Sequence, residues 1–325
     1  VPEPAGTRSA GGHGVWVDSP AGAPWSSIGW AFDPALGTWR ALPGDAPPGS
    51  TGNDAAAWHC GRAFLLTATG AGFRYDPTSG ALRATSIDGA PTHCTGQRIV
   101  THGVSAFVWG CDGCVAHVYD ARSDAWETLE PPRDLVDWTA TRCDWLPTAV
   151  IGHRFVVLRR YRDMAGIAWD IDAGAWSAIT EAGAPESVHA GPVGDASALW
   201  VVGQTGSVAG IYRYDLATRA WSHTDMPDGV CNLGSEAHYR DGVLVSSGDY
   251  SALPSACAYD LNHGTHAGEA PRGASNASTV TSFGDDHVFF WARIDGTDEG
   301  DGEMPRMPTH WIEHAGRVVR FEIAG

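Results

Sequence analysis

The sequence predicts an all-β fold built from seven copies of one small sheet, and three observations carry that expectation. The first is composition: 41 Gly, 20 Pro and 15 Trp in 325 residues make a chain rich in turns and large flat side chains. The second is an aromatic residue followed by Asp, at Phe32-Asp33, Tyr75-Asp76, Tyr119-Asp120, Trp169-Asp170, Tyr214-Asp215 and Tyr259-Asp260, with Asp spacings of 43, 44, 50, 45 and 45. The third is an independent ladder of short apolar segments centred on Val15, Phe64, Phe107, Val156, Trp200, Val243 and Phe289, spaced 49, 43, 49, 44, 43 and 46. Units of this length cannot bury a face alone, but arranged radially they share a core. Seven of them fill residues 1–325 as one domain.

Each unit reads as four strands, A to D in chain order. Tight A–B turns appear at His59-Cys60-Gly61-Arg62, Gly152-His153-Arg154 and Arg240-Asp241-Gly242. Strand B is the apolar segment, and strand C ends on the aromatic-Asp pair. Six residues after each Asp, strand D carries Trp39, Leu82, Trp126, Trp176, Trp221 or His266. Tyr119-Asp-Ala-Arg-Ser-Asp-Ala-Trp126 and Tyr214-Asp-Leu-Ala-Thr-Arg-Ala-Trp221 show the pattern in full. It resembles the kelch family over almost the whole chain, with the family's Gly-Gly doublet reduced to single glycines such as Gly70, Gly110, Gly203 and Gly248. The resemblance implies a seven-bladed β-propeller of four-stranded antiparallel blades. A weaker seventh pair, Phe321-Glu322, stands 62 residues after Asp260 and is read as strand C of the last blade. Its strand-D Trp would fall beyond the C-terminus. Val1 to Ala5 resembles Leu42 to Ala46, so the termini are expected to meet at that blade.

A–B and C–D turns share one face of such a fold, whereas B–C and D–A loops share the other. The turns are short and uniform. The loops vary, and variable loops on a rigid frame are where binding is usually built. Trp39, Trp126, Trp176 and Trp221 are expected in the core, since burying one removes about 150–250 Å² from water. Trp200 and Trp291 sit in apolar B strands and are also read as core. Trp25, Trp138, Trp145 and Trp311 fall in expected loops, where an exposed ring can stack on a sugar or anchor a protein.

The cysteines sort by the same logic. Cys94 and Cys143 are placed in the D–A loops before blades 3 and 4, and Cys111 and Cys114 in the B–C loop of blade 3. Two disulfides, Cys94 to Cys111 and Cys114 to Cys143, are the preferred reading, and a four-thiolate Zn²⁺ site is the alternative. Cys231 and Cys257 form a further candidate pair in blade 6, which leaves Cys60 free.

Catalytic signals are weaker. The best grouping is Arg159, Arg160, Tyr161 and Arg162 in the fourth B–C loop with His189 in the next D–A loop. Such a set suits proton abstraction beside a uronate carboxylate. His93 and His310 are read as loop residues, and His59, His102 and His238 as inner-strand residues. No Tyr-His dipeptide or ligand set marks a copper oxidase. In the seventh B–C loop, Asp295, Asp298, Glu299, Asp301 and Glu303 offer oxygen ligands between glycines suited to Ca²⁺, but Arg306 stands where an EF-hand needs Glu. A mobile acidic loop is the plainer reading. Asn276-Ala-Ser278 is a glycosylation sequon if the host glycosylates.

Charge bounds the partners. With 21 basic residues, all Arg, against 38 acidic ones, the formal charge is −17, which disfavours nucleic acid and anionic lipid. No apolar run is long enough to span a bilayer. Seven cysteines fit an oxidising compartment, so an extracellular, periplasmic or cell-surface location is expected, with any signal peptide already removed from Val1. The leading expectation is a secreted module binding a protein or glycan. A polysaccharide lyase or sugar epimerase using Tyr161, Arg160 and His189 is the alternative, and no cofactor beyond optional Ca²⁺ or Zn²⁺ is implied.

Overall fold

The structure, a computed structural model, describes residues 14–16, 30–33, 38–41, 47, 55–59, 62–76, 79–133, 135, 143, 146–159, 166–226, 236–240, 243–247, 256–261, 265–269, 277–283, 287–292, 310–314 and 317–321. Side chains are described within 62–94, 98–159 and 166–226 of these ranges, and at Pro47, Ala57, Leu244, Tyr259 and Leu261. The elements among the described residues are all strands. No helix there is long and apolar enough to cross a membrane.

The chain divides into two units, residues 1–158 with 167–178 and residues 159–166 with 179–325. In the first unit, β1 (Gly14–Trp16), β2 (Trp30–Asp33) and β3 (Thr38–Ala41) form a three-stranded sheet. A four-stranded sheet follows from β4 (Ala55–His59), β5 (Arg62–Leu66), β6 (Gly72–Asp76) and β7 (Ala81–Ala84). The third sheet is β8 (Cys94–His102), β9 (Ser105–Cys111), β10 (Val115–Asp120) and β11 (Ala125–Leu129). The fourth is β12 (Thr148–Ile151), β13 (Arg154–Leu158), β14 (Gly166–Asp170) and β15 (Ala175–Ile179). In the second unit, β16 (Ser187–Gly194), β17 (Ala198–Thr205), β18 (Val208–Asp215) and β19 (Ala220–Asp225) form one sheet. Another holds β20 (Glu236–Arg240), β21 (Val243–Ser247), β22 (Ala256–Asp260) and β23 (Thr265–Glu269). The last holds β24 (Ala277–Phe283), β25 (His287–Ala292), β26 (His310–His314) and β27 (Arg317–Phe321). Strands neighbour one another in chain order in every sheet.

The aromatic-Asp repeat explains the C–D hairpins. Asp120 Oδ1 accepts the N–H groups of Arg122 and Ser123, and Asp170 Oδ1 those of Asp172 and Ala173. Asp215 Oδ1 takes Ala217 N, Thr218 N and the Thr218 hydroxyl. The carboxylate thus replaces the turn's missing backbone partners, an Asx-type turn. Four residues after the Asp the chain is left-handed, at Gly80 (φ 72°), Asp124 (φ 53°), Gly174 (φ 61°) and Arg219 (φ 56°). That bend returns the chain so that Tyr119 lies opposite Trp126 and Tyr214 opposite Trp221, with ring centroids 5.2 and 5.1 Å apart.

Burial follows the repeat as well. Strand B is covered on both faces: Ala106 to Cys111 in β9, Phe155 to Leu158 in β13 and Ala198 to Gly203 in β17 are all buried. Strand D is largely exposed, as in β19, where no residue is buried. Sheets two and three meet through Phe64, which stacks on Tyr119 at 5.2 Å within a cluster that includes Leu66, Val108 and Trp126. Trp126 Nε1 donates to Ser86 O at 2.9 Å, and Trp221 Nε1 makes the same donation to Thr180 O at 2.7 Å. Trp126 and Trp221 are therefore hydrogen-bonded staples, but among the described residues only Trp126 is in the core as expected; Trp176 and Trp221 are half-buried, and Trp176 Nε1 has no hydrogen-bond partner.

The C-terminal part departs from expectation. Phe321 closes β27, the fourth strand, while strand C is β26, so the last sheet has its four strands within the chain. The long separation between Ala292 and His310 displaced the repeat count, and pairing took the first apolar segment after it, with Trp311 opposite Phe290. Trp311 and His310 accordingly lie in a strand, not a loop. The sheet with three described strands is the N-terminal one, and Val1 to Ala5 lie outside the described residues.

Candidate functional site at the disulfide-braced loops

The third sheet concentrates its cysteines at its B–C and D–A ends. Cys94 opens β8 and is not in the loop before it, because a bulge between Cys94 and Arg98 prolongs the strand and brings Cys94 opposite Cys111. The two form a disulfide across a sequence separation of 17, and Cys114 is bonded to Cys143 across a separation of 29. Both are the pairings the sequence favoured, and they consume the four thiolates that a Zn²⁺ site would need. The tip of the β9–β10 hairpin is thus tied to the strand that leads into the sheet and to the segment that leaves it. Each bridge contributes about 3 kcal/mol by restricting the unfolded chain. Fully buried Trp109 adds a further anchor, its Nε1 donating to Cys143 O at 2.8 Å.

Between the bridges, Asp112 is left-handed (φ 51°) and Gly113 follows at φ 92°. Asp112 N donates to His93 O at 2.8 Å. Its carboxylate accepts Thr92 N at 2.8 Å, the Thr92 hydroxyl at 2.7 Å and His93 N at 3.0 Å. Burial works to raise this carboxyl, but the Thr92 hydrogen bonds, His117 and His93 N together hold it below the usual range. His117, in β10, is 4% exposed. Burial pushes its imidazole down, against the opposing pull of Asp112 and of a hydrogen bond with the Gly89 backbone.

Thr128 Oγ1, His117 and Asp112 follow one another at 3.3 and 3.4 Å, the order of a hydroxyl nucleophile, base and orienting acid. The array is not aligned as one in this geometry. His117 Nε2 makes no hydrogen bond with Asp112, and the carboxylate is already engaged by Thr92 and His93, whereas an activated nucleophile needs a base with an aligned partner. The group clamps the hairpin. Sequence reading passed over Asp112, Thr92 and His117, although Cys-Asp-Gly-Cys marked the turn.

Other expected site residues divide. His189 lies in β16, an inner strand and not a loop, since alternating burial carries that strand through residues 187–194; its Nε2 is 3.2 Å from Ser187 Oγ. Arg159 follows β13 and is half-buried, while Arg160, Tyr161 and Arg162 lie outside the described residues. So do Trp25, Trp138, Trp145, Cys60, Cys231, and Asp295, Asp298, Glu299, Asp301 and Glu303. Cys257 is on β22, its side chain not described. Among the described residues no group of three or more His, Cys, Asp or Glu is arranged to hold a metal ion. The opposite, tight-turn face is less bare than its short turns imply: a cavity of about 180 Å³ lies there, lined by Arg62, Ala63, Phe64, Arg74, Val104, Ala121 and Arg122.

No protein-family profile matches the sequence, and no curated protein matches it. Solved structures do match its fold. A chain of the mitotic checkpoint complex aligns with a TM-score of 0.59 at 14% identity, over 90% of this chain and 92% of the other. An oligogalacturonate lyase in complex with manganese aligns with a TM-score of 0.55 at 13% identity, over 82% and 80%. YjhT aligns with a TM-score of 0.51 at 11% identity, over 86% and 99%. The chain therefore has a β-propeller-type fold, and its two disulfides suit an oxidising environment.

Proposed function

We propose that this chain is a kelch-like, seven-bladed β-propeller that acts as a secreted binding module and recognises a protein or glycan through the B–C/D–A face. The observation that supports this reading most directly is the pair of disulfides, which fix the loop ends on that face while the turns opposite stay short. The segment between Leu129 and Thr148 is the longest D–A connection of the first unit. It carries Trp138 and Trp145 and is pinned at Cys143. Long connections are usually functional, and the Cys114–Cys143 bridge ties this one to the third sheet.

Glycan-array and protein-capture binding of the secreted chain tests this. Trp138→Ala and Trp145→Ala should abolish the binding with little change in melting temperature. Trp126→Ala, a core truncation with a lost Ser86 hydrogen bond, should cost about 3–5 kcal/mol. If both loop variants bind as tightly as the parent chain, the face assignment is wrong. Release of unsaturated uronate products from pectin-type polymers would replace the binding module with the lyase alternative.

A further inference from the structure

We propose that Arg62, Arg74 and Arg122 form a binding site for a small oxyanion group, on the turn face opposite the proposed binding surface. The site stands apart from that reading and rests on geometry within the first unit.

Strand register brings the cations together. Phe64 is the partner of Arg74, and Arg74 is the partner of Arg83, so these three share one face of the second sheet, and Arg62 joins them two residues from Phe64. Directly opposed like charges are destabilising. They stand here in a chain of net charge −17. Arg122 comes from the β10–β11 turn of the third sheet, where Asp120 Oδ1 accepts its N–H at 2.7 Å.

Arg62, Arg74 and Arg122 line a small cavity together with apolar residues. Its volume of about 180 Å³ is below the roughly 300–1,000 Å³ of a pocket for a whole drug-sized ligand, and fits one sulfate, phosphate or carboxylate group with water. No Asp or Glu lines it. Arg74 Nη1 donates to Ala121 O at 3.1 Å, which fixes the fork across the two sheets, while Arg74 Nε is buried with no hydrogen-bond partner. A buried unpaired donor is costly, and the planar fork of Arg suits an oxyanion with two acceptor oxygens. Asp124 Oδ1 accepts the Tyr119 hydroxyl at 2.6 Å and Ser86 N at 3.2 Å, and these bonds together with the charge of Arg74 hold its carboxyl below the usual range. Among the described residues neither Arg62 nor Arg74 makes an ion pair. The apolar lining of Phe64, Val104 and Ala121 lowers screening of the charge beside it.

Titration calorimetry of the whole chain with sodium sulfate, sodium phosphate and sodium glucuronate, each against sodium chloride at matched ionic strength, tests the site. Saturable binding of at least one oxyanion, weakened tenfold or more in both Arg62→Ser and Arg122→Ser, is expected. These exposed positions spare the fold, whereas Arg74→Met also removes the Ala121 contact. Binding of the inorganic anions alone supports a site for free sulfate or phosphate, and binding of glucuronate supports a site for an acidic sugar substituent. No saturable binding of any of the three, or equal affinity in the parent and both serine variants, overturns the proposal.

Discussion

Asp215 shows how one side chain of the repeat earns its recurrence. Its carboxylate is held down to about 2, from an ordinary 3.8, first by the Thr218 backbone N–H and then by the Arg213 side chain and the Thr218 hydroxyl. The unfolded chain then binds a proton more readily than the folded one between those two values. Stability from this group is complete above pH 3.8 and is lost as pH falls towards 2. In Asp215→Ala the melting temperature should decline less steeply between pH 4 and pH 2 than in the parent, and parallel pH profiles would count against the turn role. The hairpin Asp residues were visible in the sequence as a repeat, but their job was not, because the same letters would serve a ligand site. Asp112 was invisible for the converse reason: its partners Thr92 and His93 lie about twenty residues away, and only the strand bulge and the disulfides bring them together.

Hairpins and bridges hold the elements that surround these residues. The left-handed position four residues after the Asp is Gly in two C–D turns and Arg219 in another, where a side chain costs about 1 kcal/mol. Thr180 Oγ1 donates to Arg219 O, a contact through the backbone that glycine keeps. Arg219→Gly should therefore stabilise the chain by up to about 1 kcal/mol in urea unfolding, less the added chain entropy; a clear loss would show that the Arg219 side chain matters. Strand order and the B-strand core were legible because their period of about 46 residues repeats across 325. Strand β26 was not, since His310 to His314 carry no aromatic-Asp pair and follow a long connection that broke the count. The cysteines were legible through loop placement alone, which gave the Cys94–Cys111 and Cys114–Cys143 pairings correctly even though Cys94 and Cys111 proved to lie in strands β8 and β9. The same reasoning predicts that non-reducing peptide mapping will find Cys231 joined to Cys257 and one free thiol, at Cys60. A second free thiol would break that scheme.

At the scale of the molecule, the question is how sheets with two apolar faces are all covered. Strands β9, β13 and β17 are buried on both faces, so each sheet needs a neighbour on either side. In an open stack the outermost faces stay exposed, and repeat proteins with open ends need polar capping units. A ring removes the ends. The proposed seven-bladed reading predicts such a ring, and the division of the chain into two units makes it testable. Calorimetry distinguishes the two cases. A closed seven-bladed ring should unfold, with its disulfides intact, in one transition whose calorimetric and van't Hoff enthalpies agree. Two separable transitions, one abolished by truncation after Leu158, would show instead that the units fold independently and that the ring is not closed.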